Sequence, residues 1–291
     1  MEKINIFCFG FGQVAKNFIK KVNSKNIEVT LTTTSRKDTS KKVFAGIEYK
    51  SFQFSKDSFD KNLIKNLESS NYILVSIAPV NGEDIVMKNF QNYFKSNKLN
   101  WVTYLSATSV YGDHKGEWVD EKSKTNPTSS TGSQRLKAEK LWMELAKNQN
   151  LPIQIFRLSG IYSHESNVLK RLQSGDAKII KKENQFFSRI HVEDIAEVLF
   201  KSLKQFKAKE IYNISDDRPA SSEEVILYGS KLLNIEPPAI VDLESLESEM
   251  VRNFYKDSKK VNNRKMKEIF NYNLKYPTYI EGLNDIYNNI V

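Results

Sequence analysis

The sequence contains little cysteine and no long apolar run, and both shortages limit what the protein can be. Cys8 is the only cysteine among 291 residues, so the chain forms no internal disulfide. Its place inside an apolar segment predicts a buried, inert thiol. The apolar stretch at residues 72–80 is well short of a membrane span, and the N-terminus carries neither a basic leader nor a small-residue cleavage pattern. We therefore expect a globular cytoplasmic protein with no membrane partner, and no metal site is predicted.

Basic residues outnumber acidic ones, which gives a formal net charge of +9 at pH 7. Such a surplus can attract nucleic acid, but here no motif that reads nucleic acid accompanies it. The lysines are spread along the chain, and short pairs such as Lys41-Lys42, Lys181-Lys182 and Lys259-Lys260 are typical of solvated surfaces. The charge pattern argues against a nucleic-acid partner and leaves a small molecule as the expected ligand.

The N-terminal segment combines a predicted strand, a glycine turn and a predicted helix. The apolar residues 4–9 are followed by Gly10-Phe11-Gly12-Gln13-Val14-Ala15 and by a helical pattern over 16–22. Gly10 can adopt backbone angles closed to other residues, and Gly12 lets the main chain approach a diphosphate. The amides and dipole of the helix favour an anion there. This context predicts a dinucleotide site at Gly10, Gly12, Gln13 and Val14, with a ligand-free turn as the alternative.

The residues that follow the second predicted strand, 27–33, indicate whether the cofactor is NAD or NADP. An acidic residue at this place holds the ribose 2′-hydroxyl of NAD, whereas a basic residue accommodates the additional phosphate of NADP. The chain offers Ser35, Arg36 and Lys37, with no acid before Asp38. The planar guanidinium of Arg36 can pair with a phosphate or lie on the adenine. We therefore predict NADP in preference to NAD, with an exposed basic turn as the alternative.

Strand and helix patterns alternate along most of the chain, which predicts an α/β protein with a Rossmann-type doubly wound parallel sheet. The predicted strands cover 4–9, 27–33, 47–54, 72–78, 101–106 and 153–158, and the predicted helices cover 16–22, 59–67, 83–96, 136–148 and 192–203. Strand ends of such a sheet border the ligand crevice, so Ser76, Ala78 and Pro79 are expected beside the cofactor.

The pattern changes after Ser221 to helices separated by prolines, which predicts a smaller C-terminal lobe. We assign residues 1–162 to an NAD(P)-binding Rossmann domain, with 191–215 packing back onto it. Residues 163–190 and 216–291 are assigned to a substrate-binding lobe.

Several stretches together resemble the extended short-chain dehydrogenase/reductases, which include NAD(P)-dependent sugar epimerases and dehydratases. Besides the glycine turn, they are Tyr104–Gly112, Pro127–Thr131 leading to Arg135, Arg189–Ala196 and Ile211–Ser215. The resemblance implies an oxidoreductase acting on a polar carbonyl or nucleotide-sugar-like substrate, and it leaves a homodimer open. One departure is Phe9, which stands where the extended family usually has the first of its three glycines.

The residues that carry the chemistry of that family are replaced. The family uses a Ser or Thr with a Tyr-x-x-x-Lys pair, in which the tyrosine exchanges a proton with a substrate oxygen and the lysine lowers its pKa and holds the nicotinamide ribose. The corresponding positions here are Ala107, Thr131 and Arg135. A threonine hydroxyl is a poor general acid at neutral pH, whereas an arginine can still donate to ribose hydroxyls. The chain best matches the atypical members of the family.

The loss of this relay leaves two functions open. In one, an oxidoreductase uses an unconventional acid, for which Thr108, Tyr111 and Tyr162 are the substitutes that follow strand ends. Packing is the alternative role for both tyrosines. In the other, the protein senses NADP(H) by binding it without turnover. The retained C-terminal lobe favours the enzyme.

Overall fold

The computed structural model describes residues 3–95, 97–245, 252 and 255–289. The chain forms two compact units. The first unit comprises residues 1–106, 134–157 and 195–212, and the second comprises 107–133, 158–194 and 213–291. The assignment of 163–190 and 216–291 to a substrate lobe remains a prediction.

Strands and helices alternate along the described residues. The strands are β1 (Lys3–Phe9), β2 (Glu28–Ser35), β3 (Ser40–Phe44), β4 (Ile47–Gln53), β5 (Tyr72–Val75), β6 (Trp101–Ala107), β7 (Trp118–Val119), β8 (Ile153–Leu158), β9 (Gly160–Tyr162), β10 (Ile179–Ile180), β11 (Arg189–His191), β12 (Ile211–Ile214), β13 (Ile240–Val241) and β14 (Lys260–Val261). The helices are α1 (Gln13–Asn23), α2 (Leu63–Glu68), α3 (Ile85–Phe90), α4 (Ser130–Asn148), α5 (Val168–Gln173), α6 (Val192–Ser202), α7 (Ser222–Leu233), α8 (Arg264–Phe270) and α9 (Tyr279–Asn288).

The central sheet has eight strands in the order β12-β8-β6-β5-β1-β2-β4-β3. From β6 to β4 the neighbouring strands run parallel, and β3 is antiparallel to β4 at the edge. The predicted Rossmann-type α/β fold is therefore confirmed. Short two-stranded sheets pair β9 with β11, β10 with β13 and β7 with β14.

The predicted elements differ from the observed ones mainly at their ends. The first helix begins at Gln13, directly after the glycine turn, and the strand predicted over 72–78 ends at Val75. Ser76 still donates its N–H to the Phe9 carbonyl at 2.9 Å, and Pro79 has no N–H with which to continue the ladder. The edge strand β3 was not predicted, because its exposed lysines give it little apolar pattern.

The core of the first unit follows the periodicity of its elements. Helix α1 buries Val14, Ala15, Phe18, Ile19 and Val22, which form one stripe along a 3.6-residue period. The Cys8 side chain on β1 is fully buried, and burial raises the pKa of its thiol. The predicted burial of this thiol is confirmed, and its inertness stays a prediction.

A buried ion pair fastens α4 to the sheet. Arg157 on β8 donates from Nη2 to Glu139 Oε2 at 2.7 Å, and its Nε lies 3.1 and 3.2 Å from the two carboxylate oxygens. The two side chains are only 4% and 2% exposed. The indole Nε1 of Trp142, one turn later on α4, donates to Asp84 Oδ2 at 2.8 Å. Because buried charges are stable only when paired, these contacts fix how α4 lies on the first unit.

A tight glycine contact organises the turn after β6 in the second unit. Gly112 has φ +72°, and a Cβ built on it would lie 1.8 Å from the carbonyl oxygen of Asn126. The N–H of Asn126 donates to the Tyr111 carbonyl at 3.1 Å. This contact binds the turn to the segment that leads into α4.

His191 is the last residue of β11 and is fully buried in the second unit. Its ring lies edge-on 5.0 Å from Tyr162 and 4.2 Å from Tyr276, centroid to centroid. Its Nδ1 accepts the N–H of Glu193 at 3.3 Å, at the start of α6. Burial lowers the pKa of His191 to about 4, although the carboxylates of Glu193 and Asp285 oppose the shift.

Replacement of Gly112 by alanine is expected to destabilise the protein more than replacement of Gly46. Both glycines have a positive φ, which costs a Cβ-bearing residue about 1–2 kcal/mol. Only Gly112→Ala also forces the backbone at Asn126 to move, since a Cβ on Gly46 meets no atom within 4 Å in the part of the chain that the structure describes. Chemical denaturation of the two variants measures the difference, and equal losses would contradict the contact.

His191 is expected to make the fold less stable as the pH falls from about 6.5 to about 4. The unfolded imidazole, with its ordinary pKa of 6.5, binds a proton in this window while the folded one with a pKa of about 4 does not. The contribution of neutral His191 to the free energy of unfolding is therefore fully present above pH 6.5. It is lost as the pH falls toward 4, and the loss is roughly 3 kcal/mol at most. His191→Asn keeps an acceptor for the Glu193 N–H but does not titrate. Denaturation of both proteins across this range should give a flatter pH dependence for the variant; parallel curves would exclude His191 as the cause.

Candidate functional site

The glycine turn after β1 is held by the ends of its two neighbouring strands. Gly10 has φ +83°, and its N–H donates to Thr34 Oγ1 on β2 at 2.9 Å. The Ser76 hydroxyl, just past β5, lies 3.0 Å from the Phe9 carbonyl and 3.2 Å from the Gly10 carbonyl. A Cβ on Gly10 would lie 2.8 Å from Ser76 Oγ. The turn therefore requires glycine at position 10, and Ser76 holds its shape.

The start of α1 suits a bound anion. Gly12 is the N-cap residue, and a Cβ built on it would meet no described atom within 4 Å. The first turn of α1 carries no acidic side chain. Gln13 and Val14 begin the helix, half-buried and buried respectively. This helix start combines open space with the positive end of the helix dipole, the combination that a diphosphate needs.

The predicted adenosine side lies at the end of β2. Ser35 is the last residue of the strand and donates from its hydroxyl to the Lys37 carbonyl at 3.3 Å, and Arg36 is exposed. Phe11 of the glycine turn packs against Phe44 on β3 and Tyr49 on β4, with ring centroids 5.3 and 5.2 Å away. The predicted strand β4 and its unpredicted partner β3 thus support the turn from the side.

The structure brings the predicted cofactor residues of the first 80 positions to one edge of the sheet. Strands β2, β1 and β5 are parallel neighbours, so their carboxyl ends lie side by side. The glycine turn, Ser35 with Arg36, and the loop with Ser76, exposed Ala78 and half-buried Pro79 follow these three ends. This is where a Rossmann-type sheet binds its ligand.

Arg135 lies at the end of the next strand, β6. It projects from α4, and its Nη1 donates to the Leu105 carbonyl at 2.8 Å. The Ser106 hydroxyl beside it is buried and has no hydrogen-bond partner among the described residues. The residue at the lysine position of the family therefore keeps a cationic donor group at this strand end.

The other two positions at which the family is expected to carry catalytic residues lie in the second unit, and neither has a side chain suited to general acid catalysis. Ala107 is half-buried and ends β6, and half-buried Thr108 begins the 3-10 turn after it. Thr131 is exposed, and its Oγ1 lies 3.3 Å from Ser129 Oγ. The Ser129 hydroxyl also accepts the N–H of Gly132 at 3.1 Å, at the start of α4.

The two tyrosines considered as substitutes have their hydroxyls bonded inside the protein. Tyr111 is fully buried and donates to Asn213 Oδ1 at 2.7 Å. Tyr162 donates to the Thr278 carbonyl at 3.4 Å, and a Cβ on Gly282 would lie 2.1 Å from its hydroxyl. Burial, with the nearby Asp216 charge, raises the pKa of Tyr162 well above its usual value. These contacts favour the packing role for both residues.

Lys259 differs from the solvated lysine that the sequence suggested. Its side chain is only 12% exposed, and its Nζ lies 3.5 Å from Asp257 Oδ2. The sequence gives no signal for this, because Lys259-Lys260 looks like the other lysine pairs in the chain. Burial of this lysine depends on neighbours that only the tertiary structure reveals.

Two further properties concern only the described residues. Within 3–95, 97–245, 252 and 255–289, no group of three or more His, Cys, Asp or Glu side chains is placed to hold a metal ion. In the same part of the chain, no helix is both long and apolar enough to cross a membrane.

Comparison with known proteins identifies the family. The model of the NAD dependent epimerase/dehydratase family matches residues 80–215. No curated protein matches the sequence. A functionally unknown conserved protein from Silicibacter pomeroyi DSS is 31% identical, with 98% of this chain and 99% of that chain covered and a TM-score of 0.84.

Two solved epimerases share the fold at lower identity. The UDP-glucuronic acid 4-epimerase from Bacillus cereus, in complex with UDP-glucuronic acid and NAD, is 17% identical over 99% of both chains, with a TM-score of 0.80. The UDP-N-acetylglucosamine 4-epimerase from Bacillus cereus is 16% identical over 99% of both chains, with a TM-score of 0.78. The match places residues 80–215 in the NAD dependent epimerase/dehydratase family, and the solved structures share the fold of nearly the whole chain.

Proposed function

We propose that this protein is an NADP(H)-dependent oxidoreductase of an atypical epimerase/dehydratase type, which works without the Ser-Tyr-Lys relay of its family. The observation that carries the proposal is the glycine turn, where Gly10 with a positive φ and Gly12 with open space around it precede a helix that has no acidic residue in its first turn. When bound, the cofactor supplies or accepts a hydride at a substrate carbon.

Each part of the cofactor has residues suited to it. The diphosphate fits the helix start, the adenosine 2′-phosphate fits the exposed guanidinium of Arg36, and Arg135 has further N–H groups for ribose hydroxyls. The residues proposed to hold the cofactor are Gly10, Gly12, Gln13, Val14, Ser35, Arg36, Ser76, Ala78, Pro79 and Arg135. NADP is favoured over NAD because β2 ends in Ser35-Arg36-Lys37, with no acid before Asp38.

The substrate is proposed to be a polar carbonyl compound or a nucleotide-sugar-like molecule. Support comes from structural relatives solved with such ligands, among them the UDP-glucuronic acid 4-epimerase with UDP-glucuronic acid and NAD. Residues 163–190 and 216–291 are the proposed substrate lobe, and the protein is proposed to act in the cytoplasm.

A second candidate function is the binding of NADP(H) as a sensor, without turnover. Ala107 and Thr131 favour the sensor, because neither side chain is an effective general acid or base at neutral pH. Positioned acid–base groups typically contribute a factor of roughly a hundred to ten thousand in rate, which an enzyme with these residues would lack. Incubation with NADPH and a panel of aldehydes, α-diketones and 4-keto nucleotide sugars distinguishes the two functions. NADPH oxidation above background supports the enzyme, and none with any compound supports the sensor.

Gly12→Ala is expected to weaken cofactor binding without weakening the fold. Its φ of −83° is open to alanine and the added methyl group meets no atom of the described residues within 4 Å, so the unfolding temperature without ligand should be unchanged. The same methyl group would occupy space at the helix start, which we expect to raise the Kd for NADPH at least about tenfold, or ~1.4 kcal/mol. NADPH fluorescence titration measures it. Unaltered affinity would exclude the diphosphate from this turn.

Arg36→Glu is expected to weaken the proposed preference of the protein for NADP over NAD. A charge-assisted bond to the 2′-phosphate is worth about 1.5–3 kcal/mol, so the ratio of NADP to NAD affinity should fall roughly tenfold or more. Thermal-shift titrations with each nucleotide provide the ratio. Lys25→Glu makes the same charge change at another exposed position and should leave the ratio unchanged. An equal effect of both variants would indicate a general charge effect.

A further inference from the structure

The excess of basic residues belongs to the first of the two compact units. That unit contains 25 Lys and Arg against 13 Asp and Glu, whereas the second contains 19 against 22. The lysines that look evenly spread along the sequence are therefore divided unevenly by the fold. A positive field of this kind attracts polyanions to the first unit.

Three lysines of the first unit surround a group of aromatic rings. Together they form a lysine–aromatic patch that consists of Phe11, Lys16, Lys20, Lys42, Phe44 and Tyr49. Lys16 and Lys20 are one turn apart on α1, and their Nζ atoms lie 6.0 and 5.8 Å from the centroid of the Phe44 ring. Lys42 on β3 is directly opposite Tyr49 on β4, and Phe44 is two residues further along β3. Because alternate residues of a strand share a face, Lys42, Phe44 and Tyr49 lie on the same face of the hairpin.

The rings of the patch are not part of the closed core. Phe11, Phe44 and Tyr49 are half-buried, whereas Phe7 and Phe9 on β1 are fully buried. The Phe11 ring lies 5.3 and 5.2 Å from the rings of Phe44 and Tyr49, centroid to centroid, so the three rings hold one another in place. The patch therefore presents aromatic surface that is fixed and partly open to solvent.

The positive charges of the patch have no carboxylate partner among the described residues. No ion pair in that part of the chain uses Lys16, Lys20 or Lys42, although Lys21 on the same helix pairs with Glu197. The carboxylate of the hairpin, Glu48, is opposite Val43 and so lies on the other face. The negative charge that neutralises these lysines is left to a ligand or to solvent ions.

Cations beside half-buried aromatic rings match the chemistry of a single nucleic-acid strand. The unpaired bases of such a strand can stack on the rings, and its phosphates can pair with the ammonium groups. A duplex offers the phosphates alone, because its bases are already stacked on one another. A lipid surface offers negative charge but no flat bases. The combination of rings and lysines therefore favours the single strand.

We propose that the lysine–aromatic patch binds single-stranded nucleic acid, with bases on Phe44 and Tyr49 and phosphates on the three lysines. The inference goes beyond the proposed oxidoreductase and does not depend on it, since it needs neither a cofactor nor turnover. RNA and single-stranded DNA offer the same stacking faces and phosphates, and a direct comparison of the two separates them.

Protection of the sheet edge accounts for only part of the patch. Lysines on an edge strand prevent that strand from pairing with another chain, which explains Lys41 and Lys42 on β3. It does not explain Lys16 and Lys20, which lie on α1, or the half-buried rings beside them. A ligand that uses the whole patch accounts for all of these residues.

The first test measures binding of the full chain to fluorescein-labelled oligonucleotides of about 12 nucleotides by fluorescence anisotropy. RNA and single-stranded DNA of one mixed sequence are compared with the corresponding DNA duplex. At least one of the single strands should bind, and the duplex should bind roughly tenfold more weakly or less. Neutralisation of three phosphates predicts a slope of about −2 for the logarithm of the association constant against that of the salt concentration. Equal affinity for the duplex, or no binding of either strand at low salt, would overturn the inference.

The second test reverses two charges of the patch in Lys20→Glu/Lys42→Glu. Two lost phosphate contacts should raise the Kd for the single strand roughly tenfold or more. Lys61→Glu/Lys65→Glu is the matched control, because it makes the same charge change at exposed positions beside α2 and on it. Helix α2 packs on the opposite face of the sheet, where Leu63 and Leu67 join the core around Phe7 and Phe9. Equal losses in the two variants would show a general charge effect and overturn the inference.

The third test separates stacking from charge at Phe44. Phe44→Leu keeps an apolar side chain beside Phe11 but removes the flat ring, so the Kd should rise roughly fivefold or more. Phe44→Tyr keeps the ring and should bind as the wild type does. Thermal unfolding without ligand confirms that both variants are folded. Wild-type affinity in Phe44→Leu would leave phosphate contacts alone and overturn the proposed stacking on this patch.

Two competitors identify other sources of binding. Vesicles of phosphatidylcholine and phosphatidylserine should not sediment the protein at a salt concentration at which the single strand binds; sedimentation there would indicate a lipid surface and overturn the inference. Saturating NADPH should leave the strand bound, whereas its displacement would place the strand in the glycine turn and overturn the inference. A protein that binds the strand but oxidises NADPH with no carbonyl compound would contradict the enzyme and leave this inference standing.

Discussion

The buried ion pair between Glu139 and Arg157 is the contact on which the geometry of Arg135 depends. Two charges removed from water are stable only when their hydrogen bonds are nearly complete, and here the contacts measure 2.7, 3.1 and 3.2 Å. They fix α4 on β8. Arg135 precedes Glu139 by one helical turn and so lies on the same side of α4, where it reaches the Leu105 carbonyl. The placement of this cation, which is proposed to bind the cofactor, therefore depends on a pair that has no part in the proposed site.

The glycine turn shows the same separation between residues that are proposed to touch a ligand and residues that shape the turn. Gly10 and Gly12 provide room, but the hydroxyls of Thr34 and Ser76 determine where the turn lies. Both hydroxyls belong to strands that the sheet already fixes next to β1. A turn ordered in this way loses little conformational entropy on binding, so more of the interaction energy appears as affinity.

The sequence predicts the sheet well because parallel strands buried on both faces are continuous apolar runs, as in β1, β5 and β6. It does not predict β3, whose Lys41 and Lys42 are typical of an exposed edge. The surroundings of Tyr111, Tyr162 and Lys259 were beyond prediction for a different reason. Their partners Asn213, Thr278 and Asp113 are about a hundred or more residues away along the chain, and only the folded structure brings them together.

The replacements at the family's catalytic positions are physically consistent with one another. A lysine beside a tyrosine both lowers the tyrosine's pKa and holds the ribose; with threonine at position 131, only the second task remains. Arg135 is proposed to perform that task, with five N–H donors and a charge that does not titrate. A proton donor needs the opposite property, an ammonium able to lose its proton at moderate cost. An arginine does not have that property, so Arg135 is suited to a binding role rather than to proton exchange.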